Sequence, residues 1–569
     1  MDKERQAVIV GVGRLTQSPL TPLLQCVTPV GMFTTAARRA AMDATPGSTS
    51  ILRDCVAIAS PGMFLEQRFF AQTKRRQYKN FSRSVANALG ASPLPENTIR
   101  SYPGGNSPQF LMSMFAEKIS KGEVPQGPIL IGGVEENSTF DRAVRAGRLE
   151  ELLSVVGPGG GRWCDSSSDA VEESVVVNKH ISNDPELRTL LASQFYHVGS
   201  PPAMYIYPMF ENAYANSHGR TADEQLPRCA DLFSRFSVVA AAQPQHSWYP
   251  QERTKEWLMH ASDQNRIFGY PYRKWMCARD EVDQSAVFIV MSWAEAERRG
   301  VHPDKLVFLH GSGDAFDEDV LPLRHQFDAS LSMKVAYDEA FRSAGLGAVA
   351  DESKVAFFDI YSCFPIAVEQ ACECVGLDPL TADVSRLTLT GGLPYHGGPG
   401  SNYSAHGICA VVEKLRLAQY RGQYGVVGAN GGWLSEHSVG VYSTKPPKGI
   451  YHRRDYTCYG TDYGLPMSMH ALAPSGRAKI LTWTVRYERR SLSPELGVII
   501  GELVEGPGKG KRFFANSVKG DMRACSWLIA GNRIGSLVRV FTETSQSIKF
   551  GKRTFSPCKF QLLEANSSL

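Results

Sequence analysis

The chain has no run of about 18 or more apolar residues, which excludes an ordinary membrane-spanning helix. No secretory signal fits its start, because Met1-Asp2-Lys3-Glu4-Arg5 leads straight into a strand pattern. Its 12 cysteines are scattered. Only Cys372 and Cys374 lie close together, inside a helical pattern and without metal-ligand spacing. That excludes a zinc motif and a disulfide framework, and the cysteines read as reduced, intracellular and mostly core. Charge of one sign is not in excess, with 61 Lys+Arg against 57 Asp+Glu. The net charge of +4 is unevenly placed, however. Residues 471–569 hold 16 Lys+Arg and 7 Asp+Glu, a local +9 that leaves about −5 for the rest.

What is present is an ordinary globular composition, 43% hydrophobic and 21% charged. A chain of 569 residues is too long for one core, so two to four domains are expected.

The most informative stretch is Asp359-Ile360-Tyr361-Ser362-Cys363-Phe364-Pro365. The run from Val355 to Ile360 reads as a buried strand, and Tyr361 to Phe364 as a short turn. Pro365 suits a first helical position, where its missing N–H costs nothing. Helical spacing then continues until Gly376. Such a strand, turn and helix N-terminus predicts an anion or oxyanion site. The Gly-rich segments Gly391 to Asn402 and Gly428 to Gly432 are expected to converge on it.

Ala7 to Gly13 reads as a buried strand ending in glycines, followed by an Ala-rich helix over 22–42. Gln67 to Arg83 is basic and aromatic, which predicts a solvated surface or a clamp for a phosphate-bearing ligand. Ser101 to Gln109 is a turn into a helix from Phe110 to Ile119. Pro128 to Val134 is another buried strand, followed by Glu135-Glu136-Asn137. Residues 148 to about 280 read as polar and irregular, with Gly157 to Gly161 as a flexible tip. Leu306 to Gly313 then echoes the first strand, and Val426 to Gly432 echoes Ile129 to Gly133. This repetition predicts two similar βαβ-type halves packed face to face. From Lys479 onward, short alternating strands and Gly/Pro/Asn turns predict a small barrel-like β-domain.

Three loops taken together, Tyr361-Ser-Cys-Phe, Gly397-Gly398-Pro399 and Ala429-Asn-Gly431, resemble the C-terminal half of the thiolase superfamily. Tyr361-Ser-Cys-Phe-Pro, Gly391 to Tyr403, Ala429 to Gly432 with His437, and Val441 to Pro447 are similar to the sterol-carrier-type thiolase-like type 1 group. So are Tyr205 to Asn212, Ser234 to Ser237, Asp263 to Ile267, Pro271-Tyr272 and Val282 to Ala286. The resemblance runs over nearly the whole chain. It implies an α/β thiolase fold, with two similar βαβαβαββ halves layered αβαβα, a loop domain and an added C-terminal β-domain. The expected divisions are 1–147 with 281–300, 148–280, 301–450 and 471–569.

The resemblance also implies CoA or acyl-CoA as ligand, with no covalently bound cofactor. A thiolase needs an acyl-accepting Cys, an activating His, an oxyanion-hole Asn or His, and a second proton-moving Cys. Carried over by position, these fall on Gly104 or Gly105, Gly398, Tyr361 and Ala429. None keeps the chemistry, although the Tyr361 phenol still donates a hydrogen bond. Candidate catalytic residues are therefore Tyr361, Cys363, Asn430 and His396, with His406 and His437 as other bases. Candidate ligand-binding residues are Gly104, Gly105, Asn106, Gly397, Gly398, Asn402 and Gly431. Each His, and Cys363, has a structural alternative within the core. Glu135 and Glu136 read as an acidic site or a surface loop.

Two functions stay open, a non-catalytic acyl-CoA binder and an acyl-CoA acyltransferase, decarboxylase or hydrolase without an acyl-Cys intermediate. Homodimer and monomer both stay open. Nucleic acid is not the expected partner of the basic domain, whose aromatics alternate like core residues. Ser567-Ser568-Leu569 weakly resembles a peroxisomal or glycosomal address, with cytosol or mitochondrion as the alternatives.

Overall fold

The computed structural model describes residues 2–158, 160–165, 173–177, 185–347, 354–457, 473–488, 492–543, 548–550 and 553–563. Gly159 and Ser567-Ser568-Leu569 lie outside the described residues.

The first half holds strands Ala7–Thr16 (β1), Ala57–Pro61 (β2), Thr98–Ser101 (β3), Ile129–Glu136 (β4), Val175–Val177 (β5) and Asp283–Ser292 (β6). The second holds Val307–Phe316 (β7), Val355–Ile360 (β8), Tyr424–Gly431 (β9), Glu436–Ser443 (β10) and Asp455–Thr457 (β11). In the first, β1 pairs antiparallel with β6 and β6 antiparallel with β4. Strands β2, β3 and β5 then continue in parallel from β4. The second repeats the plan: β7 is antiparallel to β10, β10 to β9, and β9 parallel to β8. Only Val8↔Phe308 and Ile9↔Val307 join the two half-sheets.

Side-chain parity shows how the halves stack. Helices Ser107–Lys121 (α2) and Tyr403–Leu415 (α7) share one apolar cluster with inward residues of both half-sheets, such as Ile9, Ile131, Phe288, Leu309, Phe357 and Val427. Pro29–Ala44 (α1) covers the outer face of the first half-sheet. Leu331–Ser343 (α5) and Pro365–Val375 (α6) cover the outer face of the second. The order is helix, sheet, helix, sheet, helix. The halves thus face each other across a shared helical layer rather than sheet to sheet.

The repeat reaches the level of single contacts. A Cβ on Gly11 or Gly13 would strike the carbonyls of Ala40 and Ala36 of α1. A Cβ on Gly311 or Gly313 would strike those of Ala340 and Ala336 of α5. In each half, Gly on the strand and Ala on the helix let two backbones touch.

The segment expected to be irregular is largely helical. Pro185–Val198, Ala203–Ser217 (α3) and Ala222–Ala241 (α4) are helices, the last two with an internal proline, Pro208 and Pro227. Tertiary burial outweighs the breaker signal, since Tyr207, Met209, Phe210, Phe233 and Phe236 enter the core of the second half. The basic stretch Gln67 to Arg83 is also more fixed than expected: Phe69, Tyr78 and Phe81 are buried, and Arg68 pairs with Asp141 and Asp280.

At the C-terminus lie Gly476–Tyr487 (β12), Pro494–Leu503 (β13), Arg512–Ser517 (β14), helix Met522–Ile529 (α8), Leu537–Thr542 (β15), Ile548–Phe550 (β16), Arg553–Phe555 (β17) and Cys558–Leu562 (β18). Strands β12, β13, β14, β18 and β15 close into a barrel. Its β14–β18 pair is parallel and its other pairs are antiparallel, an OB-type strand order. Trp483, Phe513 and Phe560 fill it. Thr482 donates to the Met209 carbonyl and Asn212 to the Trp483 carbonyl (2.8 Å), which binds the barrel to α3.

Candidate functional site

Strand β8 ends at Ile360, and Pro365 starts α6 with Phe364 as its extended N-cap. Gly376 ends the helix in the left-handed conformation, as its sequence predicts. Two N–H groups of this N-terminus, expected to be open to an anion, are already engaged. The Ile366 N–H donates to the Tyr272 hydroxyl (3.3 Å), and the Ala367 N–H to the Phe364 carbonyl (3.1 Å). The Ile366 and Ala367 donors are thus consumed within the protein.

Behind the turn lies a buried polar layer. Tyr272 donates to Glu211, and Gln225 Nε2 donates to Glu211 (2.7 Å) and Glu369 (2.8 Å). Burial, with Glu211 beside it, pushes the Glu369 carboxyl well above the usual range. Glu211, Glu369 and Cys229 also have metal-ligand spacing, but Gln225 and Tyr272 already use three of the four carboxylate oxygens.

Seven of the predicted residues come together in front of this layer. Asn430 Nδ2 donates to the Tyr207 hydroxyl (3.1 Å) and lies 3.6 Å from Cys363 Sγ. Tyr207 stacks on Phe364 at 4.2 Å. Burial pushes the Cys363 thiol up to about 12, which fits the structural alternative of a packed core cysteine. The Tyr361 phenol has no hydrogen-bond partner among the described residues, and its ring meets Tyr403 edge-on at 5.3 Å. A Cβ on Gly105 would collide with that phenol and with the Asn430 carbonyl. Gly105 is one of the two positions to which the resemblance carries the nucleophile, and a side chain there would meet Tyr361.

Gly104 and Gly431 flank a second polar pair. A Cβ on either would lie within 3.0 Å of both Asn106 Oδ1 and Glu436 Oε2. Asn106 is fully buried; its Nδ2 donates to Ser438 Oγ (3.4 Å), while Oδ1 has no partner. Ser438 in turn donates to Asp314 (2.5 Å). Burial and the charge of Asp319 push the Glu436 carboxyl up to about 8. It therefore carries a proton at neutral pH.

The remaining predicted residues sit elsewhere. His396 Nε2 lies 3.2 Å from His406 Nδ1 in a buried pair. Burial holds both rings well below the usual histidine range and so neutral. His396 reaches Tyr361 only through Tyr403. Gly397 faces Gln284, and Gly398 donates its N–H to the Arg279 carbonyl (2.8 Å). Asn402 Nδ2 donates to the Gly133 carbonyl (2.7 Å). His437 is buried against Ser330 (3.2 Å) and pushed down to about 3. Glu135 and Glu136 are not on a surface loop; both are buried on β4. Glu135 accepts the Phe64 and Leu65 N–H groups and is pushed up to about 7 by burial.

Two residues of the site have no counterpart in the sequence reading. Tyr207 lies in the Tyr205 to Asn212 motif, where its two neighbouring aromatics are a signal of a packed helix. Glu436 follows a Gly-rich turn beside His437, and only the cross-strand pairing Glu436↔Gly431 gives it a role.

No protein-family model matches the chain, and no curated protein matches it. Solved structures do. A monomeric SCP2-thiolase-like protein type 1 from Mycobacterium smegmatis is 29% identical, with a TM-score of 0.72 over 99% of this chain and 100% of that one. Human mitochondrial 3-ketoacyl-CoA thiolase is 14% identical, with a TM-score of 0.51 over 78% of this chain and 100% of that one; it has also been solved with CoA. The dimeric peroxisomal thiolase of Saccharomyces cerevisiae is 13% identical, with a TM-score of 0.51 over 78% and 98%. The fold is that of the thiolase superfamily.

Proposed function

We propose that this thiolase-fold, thiolase-like chain binds CoA or an acyl-CoA thioester at the Tyr361 turn and does not carry out thiolase turnover. The observation that carries the proposal is the contact between Tyr361 and Gly105. The nucleophile position has no side chain, and a phenol fills its space. A thiolase restored by one substitution would need that phenol to move.

Ligand recognition is supported by unsatisfied polar groups at the same place. The Tyr361 hydroxyl is an unused donor suited to a thioester oxygen. Asn106 Oδ1 and Asn430 Oδ1 are buried acceptors without partners. Such groups cost about 1–3 kcal/mol each when left unpaired. A ligand amide or hydroxyl would satisfy them. That a thiolase neighbour has been solved with CoA supports the choice of ligand. Acyl-chain metabolism is the corresponding role, a peroxisomal or glycosomal address at Ser567-Ser568-Leu569 the corresponding location, and a monomer the form suggested by the type 1 relative.

The test is calorimetric titration of the purified chain with CoA, acetyl-CoA, acetoacetyl-CoA and malonyl-CoA, each mixture then assayed for product. The expected result is saturable binding without product, weakened in Tyr361→Phe. Absence of binding to all four overturns the reading.

Glu436 favours a second reading. A protonated carboxyl beside the Gly104 turn is suited to general-acid chemistry. Product formation that falls in Glu436→Gln would make the chain an acyl-CoA enzyme without an acyl-Cys intermediate.

A further inference from the structure

A second concave site lies at the opposite end of the second half-sheet. It forms where β9 begins at Tyr424 and β10 runs out into Lys445. Each strand has 8 residues, so about 23 Å of strand separates it from Asn430 and Glu436. The cavity has a volume of about 540 Å³, within the roughly 300–1,000 Å³ of small-molecule sites.

Its lining is cationic. Lys445, Lys448, His452 and Arg454 come from one segment, with His310 from β7 and Arg342 from α5. The acid in the lining, Glu339, is already engaged. It is held by Arg342 at 2.5 and 2.8 Å and by the Tyr456 hydroxyl at 3.0 Å. The charged ends of Lys445, Lys448 and Arg454 make no ion pair or hydrogen bond among the described residues. Neither does the His452 ring.

The segment that carries them is fixed in place. His310 Nε2 donates to the Lys445 carbonyl (2.6 Å), and Gln6 Nε2 to the Pro447 carbonyl (3.3 Å). The buried Tyr451 hydroxyl bonds Ser312, and Arg453 pairs with buried Asp314 (2.9 Å). Between these anchors Lys448, His452 and Arg454 line one cavity, with no acid paired to them among the described residues. A polyanion would supply the counter-charge that these cations lack. Tyr424 and Ile450, the latter 46% exposed, add an apolar wall beside the charges.

We propose that this cavity binds a small organic ligand bearing two or more phosphate charges, the class of a nucleoside diphosphate, independently of the Tyr361 pocket. The phosphates would sit among Lys445, Lys448 and Arg454, and the ring against Tyr424 and Ile450. The anchored backbone lowers the ordering cost of such binding.

The experiment is titration of the full chain with ADP, and with pyrophosphate alone, at about 50 mM and about 500 mM salt. The variant is Lys448→Glu with Arg454→Glu; both residues are exposed, so folding is expected to survive and is checked by thermal melting. Saturable ADP binding at low salt is expected, weakened at least tenfold by the double variant and by high salt, and unchanged in Tyr361→Phe. No saturable ADP binding, or binding indifferent to the double variant in a normally melting protein, overturns the proposal. Loss of ADP binding in Tyr361→Phe also overturns it, because the ligand would then occupy the other pocket.

Discussion

A methyl group on Gly105 has no free space, because the Tyr361 phenol and the Asn430 carbonyl stand where it would go. Gly105→Ala is therefore expected to destabilise the fold by about 1–3 kcal/mol, as overpacking does. Gly449, with nothing within 4 Å of its Cβ position, is the control and is expected to tolerate Ala. Urea unfolding of both variants measures the difference. Glu436 gives a second prediction, in pH. Its folded carboxyl titrates near 8, above the unfolded value of 4.5. The folded state therefore binds the proton more tightly, and its stability falls as pH rises from 4.5 through 8. Glu436→Gln removes this penalty. It should melt higher than the natural chain at pH 8, with the gap closing towards pH 4.5; a gap independent of pH would contradict the assignment. At this scale the sequence was only partly legible. The resemblance carries nucleophile, base and second Cys onto Gly104 or Gly105, Gly398 and Ala429, whose side chains cannot supply that chemistry. That a phenol and a carboxyl had taken up the space could not be read, because those contacts join residues hundreds of positions apart.

The elements around the turn show why α6 is stable with its N-terminus buried. Tyr272 accepts from the Ile366 N–H and donates to Glu211, so one hydroxyl satisfies a helix donor and an acid. Tyr272→Phe leaves both without that partner. The expected cost is about 1–3 kcal/mol, read from denaturant unfolding; a neutral result would show that water replaces the hydroxyl. Strand β8, the Pro365 start and the Gly376 stop were legible because each rests on local backbone chemistry. Helices α3 and α4 were not. The segment 148 to about 280 reads as polar and irregular, and the packing of Tyr207, Phe233 and Phe236 against the second half is a tertiary term. The same limit applies to the α6 N-terminus. Its pattern predicts an anion site, but Tyr272, which uses the Ile366 donor, lies 94 positions away in sequence.

Across the whole molecule, two half-sheets clasp a shared helical layer, and a closed barrel is bonded to the helices of the second half. The duplication was visible because the same glycines recur in β1 and β7, where they let helices α1 and α5 touch the sheet. The five-layer order came from the resemblance to thiolases, since no local pattern encodes how two half-sheets meet. The basic character of residues 471–569 was legible as composition. The cationic cavity was not, because it is assembled from β7, α5 and the segment after β10.

Under the proposed function, the pocket at Tyr361 is a ligand site without thiolase chemistry. Calorimetric titration with acetyl-CoA, followed by a product assay on the same mixture, tests it most directly. Saturable binding is expected, weakened in Tyr361→Phe, with the acetyl-CoA recovered intact. Turnover of acetyl-CoA, or no binding at all, would contradict it.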